Sequence, residues 1–353
     1  MSTIYFFFLI LISFPDLLNL YFQGWSRFVP EGNIVDHNFS FFRSLEKFEE
    51  AADMNEEERS LFSNCCFGQF LQLPKINRSS KIINHLLMRV GRYDGEEECE
   101  DALFIEVAGQ PRAFTIKHFA EITGLCVVDN FEALEYNEVA DGGLYSDIFQ
   151  NGTLKSRGVL TSKLKESKGW DNPERRVKFL ILHFLCNVLL GAPSHTNIPD
   201  LSYVKLVEDL NQFNKYPWGN VVWKFFHESA VKYVKNVGGK SDSKGKINLP
   251  SFLYPLQIWA FETMPVFTSL AVCDKVSETA IPLMRRWKSV TTHVLENTFQ
   301  NIDFQSEELA FNTIGEDHFF KSDEKKKKKK NQKGKADVSK YFNSFFFIDI
   351  LLK

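Results

Sequence analysis

Several groups of residues in this 353-residue chain have the types and spacing that chemistry uses. Gly239-Lys240-Ser241 matches the end of a phosphate-cradling loop, in which backbone N–H groups surround the phosphates and the lysine reaches them. That loop needs a glycine five positions before Gly239. The position is Val234, and the segment follows a helical pattern rather than a strand, so it reads as a flexible connection. His227-Glu228 is half of the zinc-binding HExxH arrangement, but no second histidine stands four residues on and a solvated helix face is the better reading. Cys65, Cys66, Cys99, Cys126, Cys186 and Cys273 form no CxxC pair, so no zinc site is legible. A reactive Cys65 or Cys66 would need a neighbouring cation or helix amino end, and neither is visible. His85, His118 and His183 each sit in or beside an apolar helical stretch, where a lone histidine is usually a hydrogen-bonded core or boundary residue. Trp218, Trp223 and Trp259 could stack bases, yet their helical spacing favours core packing. No catalytic, cofactor-binding or metal-binding set emerges. The chain reads as a non-enzyme with no cofactor.

Charge is divided unevenly. The whole chain carries a net charge of −3, but residues 321–353 hold 11 lysines against 4 acidic residues. The remainder is therefore acidic, which argues against a broad phosphate-binding surface. Lys325, Lys326, Lys327, Lys328, Lys329 and Lys330 form an unbroken run that Lys333 and Lys335 extend. Like charges at this density stay solvated, and the run reads as a nuclear localisation signal or as a tail without a role. At the other end, Ile4 to Phe14 is apolar but well short of the roughly 20 residues that span a bilayer. No Lys or Arg precedes Arg27, so a secretory signal is poorly matched. Nuclear or cytoplasmic localisation is expected, with secretion or membrane attachment through Ile4 to Phe14 as the alternative. Glycosylation at the sequons Asn38, Asn77 or Asn151 would favour the latter.

The elements that must position these residues are mostly helices. From Pro173 to Leu190, Val177, Leu180, Ile181, Phe184, Leu185, Val188 and Leu189 recur at helical spacing, and Phe179, Leu182 and Cys186 fill the opposite side. Asn172 can cap this helix, Pro173 suits its first position, and Gly191 with Pro193 closes it. The spacing predicts a central, nearly fully buried helix. Ile82, Ile83, Leu86 and Leu87 behind Ser79/Ser80, and Val221 to Val237 behind Pro217, predict two more. Leu103, Ile105 and Val107 alternate with Phe104, Glu106 and Ala108. Gly109-Gln110-Pro111 supplies turn chemistry before Arg112 to Ile116 alternates again, which predicts a hairpin. A short helix, Lys117 to Thr123, follows it and ends at Gly124.

Cys66-Phe67-Gly68-Gln69-Phe70-Leu71, Asn84-His85-Leu86-Leu87, the hairpin Phe104 to Ile116 and Phe119-Ala120-Glu121-Ile122-Thr123-Gly124-Leu125 occur in that order. Tyr216-Pro217-Trp218-Gly219 and Tyr254-Pro255-Leu256-Gln257-Ile258-Trp259-Ala260-Phe261-Glu262 follow. Together they resemble a plant family, the domain of unknown function nineteen eighty-five, over about residues 55–270. The resemblance implies a domain that commonly lies upstream of a SUMO-specific cysteine protease domain in transposon-derived plant proteins. Such a peptidase needs a His, an Asp, an oxyanion-hole Gln and a Cys followed by Gly. No Cys follows Cys273, so the peptidase is expected to be absent from this chain.

The expected architecture is mainly α (α+β): a single helical domain over residues 39–320 with one small β-hairpin and no parallel sheet. A poorly ordered apolar leader (1–38) and a disordered lysine-rich tail (321–353) are expected to flank it. The expected function is a non-catalytic protein-interaction or scaffolding module, the partner and oligomeric state being illegible. The hairpin edge and the helix grooves are its natural binding surfaces, by strand addition or helix-in-groove docking. Two alternatives stand behind it: the N-terminal part of a truncated SUMO-specific cysteine protease, and a weak non-specific nucleic-acid binder acting through the lysine tail. A membrane partner ranks last.

Overall fold

The computed structural model describes residues 25–29, 45–76, 79–93, 99–132, 143–149, 155–238, 249–290 and 314. The described part is α+β and mainly helical. Helix α1 (Leu45–Ala52) leads into α2 (Glu56–Ser63). At the start of α2, the Asn55 side chain accepts from Glu58 N–H while the Glu58 carboxylate accepts from Asn55 N–H, a reciprocal capping box. Helix α3 (Ser80–Leu87) begins at Ser79, whose hydroxyl accepts from Ile82 N–H.

The sheet is larger than a hairpin. Strands β1 (Trp25–Arg27), β2 (Val90–Tyr93), β3 (Ala102–Val107) and β4 (Gln110–Thr115) form one antiparallel sheet in the order β1-β2-β3-β4. Strand β1 falls within the leader that the sequence sets apart, and Val29 just after it is fully buried. Strands of three or four residues are too short to show a period of two, so β1 and β2 leave no alternating signal. No parallel pair occurs among the described residues. The hairpin turn is Ala108-Gly109, one residue earlier than its composition suggests, and Gln110 and Pro111 already pair with Val107 and Glu106. Both turn residues have positive φ, 55° and 67°, as a two-residue loop between right-twisted strands requires. Gly109 adopts this freely, and Ala108 is held there by the register.

Helix α4 (Ile116–Thr123) starts at Thr115 and ends at Gly124, whose left-handed φ of 73° terminates it as expected. Helices α5 (Gly143–Ile148) and α6 (Arg157–Glu166) precede α7 (Pro173–Phe184). Asn172 caps α7 by accepting from Arg175 N–H at 3.0 Å, and Pro173 fills the first turn. The expected uniform helix to Leu190 changes pitch instead. Leu185–Leu189 form a π turn in which Leu190 N–H reaches the Leu185 carbonyl at 2.8 Å, and all five residues are buried. With apolar side chains on every side, one extra residue in the turn exposes none of them.

Helices α8 (Ser202–Leu206), α9 (Leu210–Lys215), α10 (Trp218–Gly238), α11 (Tyr254–Thr263) and α12 (Val266–Ser269) complete the helical part. A two-stranded ribbon, β5 (Cys273–Lys275) with β6 (Trp287–Ser289), follows. Around α7, Phe48, Phe62, Phe67 and Phe70 crowd the Phe184 ring at centroid distances of 5.0–5.8 Å. Under the hairpin, Phe114 packs on Trp223, Phe226 and Trp259 of α10 and α11. No helix among the described residues is long and apolar enough to cross a membrane.

Candidate functional site

The hairpin edge was the first surface to consider for docking, and its chemistry argues against strand addition. Glu106 pairs with Pro111 and Ile105 with Arg112. A proline nitrogen has no proton to donate, so Pro111 sits in a non-hydrogen-bonded pair. Pro111, Ala113 and Thr115 therefore direct their backbone groups away from β3, along the outer edge of β4. Pro111 offers no N–H there. Thr115 N–H donates to His118 Nδ1 at 3.3 Å, while the Thr115 hydroxyl accepts from His118 N–H at 3.2 Å. The His118 ring also shares a hydrogen bond with the Ala113 backbone. One imidazole thus occupies Thr115 N–H and meets the Ala113 backbone on the outer edge of β4, which works against pairing with a foreign strand there.

Because Nδ1 accepts, the His118 proton resides on Nε2 and the ring is neutral. Burial, with a smaller push from Lys117, pulls its pKa from 6.5 down to about 4, although the Ala113 hydrogen bond works the other way. The unfolded chain binds a proton below about 6.5 that the folded chain takes up only near 4. Stability from this residue is complete above the upper value and drains away as pH falls towards the lower one, by at most about 3 kcal/mol. Urea unfolding at pH 7 and pH 4.5 should show a larger acid loss in the wild type than in His118→Gln, which keeps an acceptor but does not titrate. Equal losses in the two proteins would refute this role.

The other candidates are held by structure. Burial pushes the thiols of Cys65, Cys186 and Cys273 up to about 12 and raises Cys66 and Cys99. The His183 ring stacks on Phe48 at 5.8 Å. His227 Nε2 lies 3.2 Å from the Ala102 carbonyl, whereas Glu228 faces solvent near Lys224. His85 Nδ1 lies 3.4 Å from Arg89 Nη1. Trp218, Trp223 and Trp259 are core residues, at most 2% exposed, and present no base-stacking face. Among the described residues, no group of three or more His, Cys, Asp or Glu side chains could hold a metal ion. Gly239-Lys240-Ser241, the sequons at Asn38, Asn77 and Asn151, and the run Lys325 to Lys330 with Lys333 and Lys335 lie outside the described residues.

Two arginines outside the motifs of the sequence are buried. Arg176 on α7 pairs with Glu58 on α2, their side chains 4% and 5% exposed. Arg157, the first residue of α6, is 2% exposed. Its Nε donates to Thr196 Oγ1 at 3.1 Å, and its guanidinium lies 5.9 Å from the Phe225 ring centroid. A signal for Arg157 did exist: it stands three and seven residues before Leu160 and Leu164, on the apolar stripe of α6. A charge on such a stripe is buried when the helix docks.

No curated protein and no solved structure matches the chain. One family model does, and over a narrower span than the motifs suggest, leaving out Cys66 to Leu71, Asn84 to Leu87 and Tyr254 to Glu262. The span runs from before β3 into α10 and takes in the hairpin, His118, Arg157 and Arg176. Residues 95–229 match the family described as a domain of unknown function, DUF1985, and it is this family that the centre of the chain is similar to.

Proposed function

We propose that the protein is a non-catalytic protein-interaction module, a scaffold rather than an enzyme. One observation carries the reading. Among the described residues four large hydrophobic side chains are exposed, and three of them, Val276, Ile281 and Val290, belong to the β5–β6 ribbon and the residues bounding it. Around them lie the ion pairs Lys275–Glu278 and Lys288–Asp274. Apolar side chains inside a polar rim are the composition of protein contact surfaces. The occupant would be another protein with a complementary apolar segment. The lysine run from Lys325 supports action in the nucleus, and the resemblance supports a plant, transposon-derived protein working beside a SUMO protease.

The test is capture from plant nuclear extract with the tagged full chain, compared with Val276→Ser/Ile281→Ser and with Val128→Ser as an exposed control elsewhere. The reading expects at least one protein held by the wild type and by the control, but lost about tenfold or more with the ribbon variant. If no captured protein responds to the ribbon substitutions more than to the control, the proposal fails.

A further inference from the structure

The described arginines with short ion pairs meet a carboxylate: Arg176 pairs with Glu58, Arg27 with Glu106, and Arg175 with Asp147. Arg157 is different. It is almost wholly buried, yet among the described residues its guanidinium meets no carboxylate and Nη1 has no hydrogen-bond partner. Its Nε is spent on Thr196 Oγ1, and that hydroxyl in turn donates to the Pro193 carbonyl at 2.6 Å. The loop carrying Thr196 is clamped on the start of α6: Arg157 N–H and Gly158 N–H donate to the Thr196 and Ser194 carbonyls at 3.0 and 2.8 Å. The guanidinium is therefore held in place from both its ends, with Phe225 on its flank.

The polar side chains that act on its charge are the Cys186 thiol, on the π turn, and the Tyr203 hydroxyl, on α8. Both are neutral, since burial raises each well above its ordinary range. An arginine stays charged in a protein interior, and among the described residues no carboxylate forms an ion pair with this one, which leaves its charge without a partner in direct contact. A π turn beside it is the kind of irregularity that recurs at functional sites.

We infer that Arg157, with Thr196 fixing its orientation and Tyr203 beside it, is a binding site for the carboxylate group of a small ligand. The choice of carboxylate rests on charge. Asp200 acts on both Tyr203 and Cys186, so a negative charge already lies near the site. One guanidinium against that background suits a monoanion better than a doubly charged phosphate. The guanidinium fork matches a carboxylate in shape as well.

The test is thermal unfolding of the full chain in sodium acetate against sodium chloride at equal ionic strength, with inorganic phosphate as a third series. Wild type should gain several degrees in acetate over chloride, following a saturating curve, and less in phosphate. Arg157→Leu should show no acetate gain. Arg157→Lys keeps the charge but loses the fork, and should need about tenfold more acetate for the same gain. That second variant keeps the test decisive if Arg157→Leu does not fold. Three outcomes would overturn the inference: no acetate gain in the wild type, as expected if a buried water satisfies Nη1; an equal gain in the variants; or a phosphate gain that exceeds the acetate gain.

Discussion

Arg176→Ala should lose about 3–5 kcal/mol of unfolding free energy, a large fraction of the stability of an ordinary domain. The guanidinium joins three elements. Nη1 donates to Glu58 Oε2 at the start of α2, Nη2 donates to the Ala52 carbonyl at the end of α1, and the side chain itself belongs to α7. Glu58 Oε2 also accepts from Asn55 N–H at 3.0 Å. Removing the arginine strands a buried carboxylate and the last carbonyl of α1 together. The size of the loss comes from that stranding rather than from the strength of the pair. It follows that Arg176→Met combined with Glu58→Leu should recover the part of the loss that comes from the stranded carboxylate, leaving a deficit of about 2 kcal/mol for the dismantled capping box and the Ala52 carbonyl that stays unpaired. Urea midpoints of the two single variants and the double variant measure this. A loss below about 1 kcal/mol in Arg176→Ala, or a double variant no better than the single, would contradict the account.

Trp218→Ala should cost a similar amount, about 3–5 kcal/mol, by a different mechanism. Trp218 begins α10 and is 1% exposed. Its ring meets Phe213 at 4.5 Å, Tyr216 at 4.7 Å, Tyr203 at 5.2 Å and Phe67 at 6.0 Å, so it fills the junction of α8, α9 and α10. The indole N–H donates to the Phe213 carbonyl at 2.8 Å. Truncation removes the aromatic volume and leaves a cavity whose walls, being rings, cannot collapse into it. Trp218→Phe retains most of the volume and loses the hydrogen bond, and should cost about 1–2 kcal/mol. Chemical denaturation of both variants tests the ordering. A phenylalanine variant as unstable as the alanine variant would show that the indole N–H, and not the volume, dominates.

The elements that were legible in the sequence are those whose signal is local. Asn172, Pro173 and the apolar residues from Val177 onward announce α7 because capping and helical spacing act within a few turns. Leu103, Ile105 and Val107 announce β3 because alternation places them on one buried face. Gly124 ends α4 for the same kind of reason, a backbone conformation that glycine adopts without strain. The π turn at Leu185–Leu189 was not legible, since its residues fit an α-helix equally well.

The sites depend on contacts between distant residues, and these the sequence conceals. His118 looks like any histidine beside an apolar stretch until the register of β3 and β4 turns Ala113 and Thr115 towards it. Arg176 looks like an ordinary surface charge, and the place of Arg157 on the apolar stripe of α6 tells that it is buried but not against what. Docking of α6 buries one against Thr196 and Phe225, and docking of α7 gives the other its partner 118 residues away in Glu58. By itself the sequence determined the helical character, the hairpin, the caps and the division of charge, because hydrophobic period, capping and net charge are properties of neighbouring residues. Only the tertiary structure decided which charges are paired, what occupies Thr115 N–H on the edge of β4 and which buried guanidinium has no carboxylate partner among the described residues, because burial and pairing are set by elements far apart in the chain.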